Sequence, residues 1–232
     1  MVAILKKLTP ALEMFLKKYS LLFIVIGFIL VNTTFSFADS QSRTINIAAF
    51  GDSLSAGFGL GPGESFPEQL QQALIEQGHT NINIINSGNS GDTSADGLSR
   101  LDWSIGDDID AVILEFGAND GLRGLSVVEA EQNIDAMLQR FQERGIAVLL
   151  TGMEAPPNMG DEYRNEFRKI YPDLAAKYNV ILYPFFLDGV AAQPKLNQGD
   201  GIHPNKMGVE KIVKKITPDV IKLIEQVKEK QE

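Results

Sequence analysis

Cysteine is absent from the 232 residues. That absence removes disulfides, thiolate nucleophiles, zinc–cysteine sites and a lipid-modified cysteine behind a leader together. Histidine is scarce: His79 and His203 are the two in the chain, so a mechanism that needs imidazole has two candidates. Basic side chains fall short of acidic ones, 21 against 30. The uninterrupted apolar run Leu21–Val31 has 11 residues, well short of the roughly 20 that span a bilayer comfortably. The Gly-x-Ser-x-Gly elbow of ordinary α/β-hydrolases is missing as well.

What remains is the composition of a soluble globular protein, 44% apolar and 22% charged, with length for one domain and an appendage. The appendage is the N-terminus. Lys6, Lys7, Lys17 and Lys18 precede the apolar run, and small residues, Ser36 and Ala38, follow it. This order reads as a secretory signal peptide cleaved after Ala38, with residues 39–232 as the mature domain. The unusual length ahead of the apolar run leaves an uncleaved anchor as the other reading. Cleavage would remove four of 21 basic residues and Glu13 of 30 acidic ones, leaving 17 against 29 and a net charge of −12. A surface that acidic repels phosphate backbones, so no nucleic-acid partner is expected. Lys206, Lys211, Lys214 and Lys215 do gather, but at helical spacing, as a solvated face would.

From Thr44 onward, β-like runs alternate with helical stretches. Strands are expected at Ile45–Phe50, Ile82–Asn86, Ala111–Phe116, Ala147–Thr151 and Val180–Leu182. Helices are expected near Phe66–Gln77, Ser94–Asp102, Val127–Arg144, Glu162–Tyr178 and Met207–Glu229. Strands alternating with helices imply a parallel sheet covered on both faces, a three-layer α/β/α sandwich of about five strands. The run Val112-Ile113-Leu114 suits a central strand; Glu115, directly after it, is a carboxylate inside that apolar strand.

Four loop blocks follow strand ends, where open α/β sheets place their ligand crevice. The first is Gly51-Asp52-Ser53-Leu54-Ser55: glycine lets the chain turn sharply off the strand and Ser53 can present its hydroxyl, although a turn capped by Asp or Ser would look the same. The second, Ser87–Ser94, contains Gly88 and Gly91, either able to bring a backbone N–H to an oxyanion. The third, Gly117-Ala118-Asn119-Asp120-Gly121, offers an amide donor in a sequence that is also a turn in its own right. The fourth is Asp200-Gly201-Ile202-His203-Pro204, where residues three apart on one helical turn would let the carboxylate orient the imidazole. His79, in a helix-to-strand connection at the other end of the sheet, reads as a solvated loop residue.

In this order the four blocks resemble those of the GDSL, or SGNH, hydrolase family, over about Ile47 to Gly208. Gly51-Asp52-Ser53-Leu54-Ser55-Ala56-Gly57, Ser90-Gly91-Asp92-Thr93-Ser94, Gly117–Gly124 and Asp200–Asn205 are similar to the branch of acyl-CoA thioesterase I, lysophospholipase and arylesterase; so is Ala155-Pro156-Pro157-Asn158-Met159-Gly160 with Tyr163 and Phe167. The resemblance implies a flavodoxin-like fold and a periplasmic or secreted enzyme. It implies Ser53 as nucleophile, His203 as general base, Asp200 as its orienting partner, and the backbone N–H groups of Ser53 and Gly91 with the Asn119 amide as oxyanion donors.

No metal or organic cofactor is expected, and the expected active form is a monomer. The glycine-rich stretch Gly57–Gly63 and the segment Met153–Gly160 are expected to wall the substrate cleft with Phe58, Leu60, Met153, Pro156 and Met159. A single-chain acyl ester, thioester or lysolipid would fit such walls. A carbohydrate O-deacetylase or broader lipase on the same fold, or a non-catalytic lipid- or carbohydrate-binding module, are the competing readings.

Overall fold

The structure, a computed structural model, describes Met14, Lys18 and residues 43–231. The signal-peptide reading and its cleavage after Ala38 lie outside the described residues.

A five-stranded sheet forms the middle layer: β1 (Ile45–Gly51), β2 (Ile82–Asn86), β3 (Ala111–Glu115), β4 (Ala147–Thr151) and β5 (Ile181–Tyr183), in the order β2-β1-β3-β4-β5 with every pair parallel. This is the flavodoxin-type strand order, whose direction of winding reverses between β1 and β3. In β3 and β4 every residue is buried, as the unbroken apolar runs require of strands covered on both faces. Edge strand β2 alternates more and keeps its asparagines toward water.

Helices cover both faces. On one, α2 (Phe66–Glu76) packs against α7 (Lys206–Gln231). On the other, α5 (Val127–Glu143) packs against both α3 (Ser94–Ser104) and α6 (Asp161–Tyr178). Their starts are written locally. Ser65 with Glu68 and Thr93 with Asp96 form capping boxes that satisfy otherwise orphaned N–H groups. Two short helices stand at the strand ends, α1 (Ser53–Ala56) after β1 and α4 (Ala118–Arg123) after β3. A single 3₁₀ turn, Pro157–Met159, interrupts the loop that follows β4. The strand ends β1 and β3 flank the topological switch, and both short helices start there.

Candidate active site

Each member of the site is aimed by its local backbone. Asp52 caps α1, accepting the Leu54 N–H at 2.9 Å, and this sharp start sets Ser53 at the first helical position, 9% exposed. The fourth block is a tight loop rather than the helical turn its spacing predicts. Gly201 has φ +78°, Gln198 N–H donates to the His203 carbonyl at 2.7 Å, and Asp200 Oδ1 accepts the N–H groups of Ile202 and His203, each at 3.0 Å. The loop still brings carboxylate and imidazole together: His203 Nδ1 lies 2.7 Å from Asp200 Oδ2. His203 Nε2 lies 3.0 Å from Ser53 Oγ.

Asp200 on Nδ1 fixes the tautomer that leaves the Nε2 lone pair toward the hydroxyl. The Ser53 hydroxyl has one rival acceptor, Asp52 Oδ1 at 3.5 Å; that distance is at the limit of a hydrogen bond, so the imidazole wins. The two N–H bonds and the imidazole hold the Asp200 carboxyl down at about 2, the His203 N–H being the larger cause. It is therefore charged throughout the neutral range.

Asn119 lies beside this line, and Gly91 is joined to it through Arg123, which donates to both the Gly91 carbonyl and Asn119 Oδ1. Gly91 has φ +91°, a conformation that favours glycine, and a Cβ there would meet open space. Arg123 Nη2 donates to its carbonyl at 2.8 Å. Among the described residues, neither the Ser53 N–H nor the Gly91 N–H has a protein acceptor, so both remain available. The Asn119 amide is engaged, donating to the Asp92 carbonyl at 2.9 Å and to Asp52 Oδ2 at 3.2 Å; the longer bond is the one an oxyanion would compete for. Gly88 is unsuited to that part, since its N–H already donates to Asn86 Oδ1 at 3.0 Å.

Ser53, Asn119 and His203 open onto a cavity of about 370 Å³. Its walls are mostly apolar: Leu122, Met153, Pro156, Phe185, Leu187 and Ile202. Of the five side chains expected to wall the cleft, Met153 and Pro156 do. Phe58, Leu60 and Met159 lie outside the lining. Gln198 Nε2 ties the Phe58 carbonyl at 2.7 Å, and the Phe58 ring lies against the imidazole of His203. Leu60 packs on the core, and Met159 Cε covers Gly124. As cleft walls the sequence reading missed Leu122 of α4, Phe185 and Leu187 of the segment after β5, and Ile202 of the loop that carries His203. It also missed Arg100, which supports the turns from beneath. Its guanidinium pairs with Asp92 and donates to the carbonyls of Gly51 (2.8 Å) and Ser87 (2.9 Å). His79 is half-buried in the connection into β2, away from all of these residues. Among the described residues, no group of three or more histidine and acidic side chains could hold a metal ion.

Residues 49–211 match the model of the GDSL-like lipase/acylhydrolase family. The chain belongs to this family. GDSL relatives include esterase TesA of Pseudomonas aeruginosa, 36% identical over 79% of this chain and 92% of its own length. Thioesterase 1/protease 1/lysophospholipase L1 of Escherichia coli is 36% identical over 76% of this chain and 82% of its own. Among solved GDSL structures, AlinE4, an SGNH-hydrolase family esterase, is 49% identical with a TM-score of 0.65, over 78% of this chain and 96% of that one. The five-stranded parallel α/β/α fold expected from the sequence is the fold of these neighbours.

Proposed function

We propose that the chain is a serine esterase and thioesterase that cleaves single-chain acyl esters and thioesters through an acyl-enzyme on Ser53. The observation that carries this reading is the unbroken line Asp200–His203–Ser53, at 2.7 and 3.0 Å, opening onto an apolar cavity. The names of the relatives, an esterase and a thioesterase/lysophospholipase, agree with it.

In the first half-reaction His203 Nε2 takes the Ser53 proton as Oγ attacks the acyl carbonyl. The resulting oxyanion is met by the free N–H groups of Ser53 and Gly91, and by Asn119 as it gives up its longer bond to Asp52. The carbon–oxygen or carbon–sulfur bond then breaks, and the leaving alcohol or thiol takes the proton from His203. Water repeats the sequence on the acyl-enzyme, with His203 again as base, releasing the acid and restoring Ser53. Every group used comes from one chain, so a monomer suffices.

Aryl esters, acyl-CoA and lysophospholipids are the substrates this site would take. Each methylene buried in the cavity is worth roughly 0.8 kcal/mol, so kcat/KM should climb from acetyl toward about six to ten carbons before the wall is reached. Among the described residues no helix is long and apolar enough to cross a membrane. The basic and apolar leader pattern of the sequence supports export, with the mature chain starting at Asp39.

The test is labelling by a fluorophosphonate with mass-spectrometric assignment, followed by kcat/KM on p-nitrophenyl esters of two to sixteen carbons beside an acetylated oligosaccharide. Expected are a single adduct on Ser53 and a mid-chain maximum. No adduct would point to a binding module. A maximum at acetyl with faster turnover of the sugar would point to a deacetylase.

A further inference from the structure

The strand that supports the site ends on a buried carboxyl. Glu115 closes the run Ala111-Val112-Ile113-Leu114, and its Cα is the sheet partner of Gly51, the residue from which the nucleophile turn departs. It is 0% exposed. A lone carboxylate in such a place is costly enough that a stability argument alone would favour an apolar residue.

Its contacts all run toward the turn. Oε2 accepts the Ser55 hydroxyl at 2.9 Å and the Asp52 N–H at 3.3 Å, while Oε1 is buried without a partner. The carboxyl fills the space below Gly51 so fully that a Cβ there would lie 2.5 Å from Oε2 and 2.3 Å from Ser55 Oγ. Ser55 is itself fully buried in α1, so the two bonds grip the turn on either side of Ser53. Through Asp52 the grip extends further, because Asp52 caps α1 and accepts the Asn119 amide.

We propose that Glu115 is the positioning residue of the nucleophile turn, an acceptor built into the sheet that fixes both Ser53 and, by way of Asp52, the oxyanion amide of Asn119. This inference rests on Ser53 being the nucleophile. Burial and then the neighbouring Asp52 push the protonation of Glu115 well above the usual carboxylate range, which favours the neutral form. Charged or titratable groups approach from three sides. Asp52 lies in the turn, Arg100 of α3 reaches the Gly51 carbonyl, and the Tyr171 hydroxyl of α6 donates to the Phe116 carbonyl at 3.0 Å. None of their side chains donates to Glu115 or forms an ion pair with it.

Neutrality makes the experiment sharp. Glu115→Gln keeps a neutral oxygen acceptor of the same shape, whereas Glu115→Leu keeps the bulk and leaves two buried donors unpaired. Each variant would be titrated with fluorophosphonate to count competent sites, then assayed for kcat, KM and labelling rate at pH 7 to 9. Glu115→Gln is expected within about threefold of wild type, with a superimposable pH profile. Glu115→Leu is expected to lose about 10- to 100-fold in kcat and in labelling rate per folded molecule, with KM little changed. Wild-type rates per folded molecule in Glu115→Leu would overturn the proposal. So would a loss in Glu115→Gln as deep as in Glu115→Leu, since the charge would then be the active feature. If Glu115→Leu does not fold, Ser55→Ala decides by removing one of the two bonds without adding bulk. A fall of roughly threefold or more in kcat is expected there, and unchanged kcat would reject the inference. Wild-type protein that takes no label fails the nucleophile reading instead, a result distinct from all of these.

Discussion

The ring of Phe58 lies 4.6 Å from the imidazole of His203, centroid to centroid, with the planes tilted by 39°. Phe58 is half exposed, so this contact earns little from burial and acts on orientation: it covers one face of the imidazole while Asp200 holds the edge. Aromatic pairs of this kind contribute about 0.5–1.5 kcal/mol beyond area. Phe58→Ala should therefore lower kcat by about 2- to 12-fold while leaving the KM for eight-carbon esters close to wild type. Steady-state kinetics across chain lengths check this. A KM that rises with acyl length at constant kcat would return Phe58 to the cleft wall.

Asn119→Ala should lower kcat by about 10²–10³, the usual loss for one oxyanion donor, with KM little moved. The substitution also leaves Asp52 Oδ2 and the Asp92 carbonyl without the amide that now serves them. Thermal stability should therefore fall alongside kcat. Calorimetry with kinetics on the same preparation separates the two losses, and a raised KM with normal kcat would make Asn119 a substrate-binding residue.

Asp200→Asn keeps the shape of the loop but no longer fixes the imidazole tautomer or stabilises its cation. The comparable change in another serine hydrolase costs about 10⁴ in kcat. Asp200 is half open to water, with 36% of its side chain exposed, so a smaller loss of about 10²–10⁴ is expected here. His203→Gln should be as damaging, and His79→Gln without effect. Activity surviving in His203→Gln but lost in His79→Gln would reverse the assignment of the base.

Two carboxyls near Ser53 push stability in opposite directions with pH. Burial raises Asp52 from 3.8 to about 6. Its contribution is thus complete below about pH 3.8 and is lost as pH climbs through about 6. Asp200, lowered to about 2, contributes above about pH 3.8 and loses that contribution as pH falls toward 2. The melting temperature of wild type relative to Asp52→Asn should accordingly be higher at pH 4 than at pH 7. Relative to Asp200→Asn it should be lower at pH 2 than at pH 5. Differential scanning calorimetry over pH 2–8 checks both signs.

The sheet was readable because β3 and β4 are continuously apolar and their neighbours are bounded by polar turns; the expected ends fall within one residue of those observed. Helix α1 was not readable. Ser53-Leu54-Ser55-Ala56 has no amphipathic period, and it is helical because Asp52 caps it and the turn is held from below. The spacing of Asp200 and His203 indicated their contact but not its cause, a loop with positive φ at Gly201 in place of a helical turn. The substrate walls were the least legible part. Leu122, Phe185 and Ile202 meet only in three dimensions, and Gln198, which turns Phe58 aside, stands 140 residues from it.

The Ser53–His203 bond joins residues 150 positions apart, and this distance is also a delay. At about 5–20 residues per second, a ribosome that has just added Ser53 needs about 8–30 s to reach His203. Throughout that interval the growing chain carries a hydroxyl with no base to activate it. The loop bearing His203 then leads into α7, which must dock on α2. On the proposed roles of Ser53 and His203, the growing chain lacks a complete catalytic line until the last helix is in place.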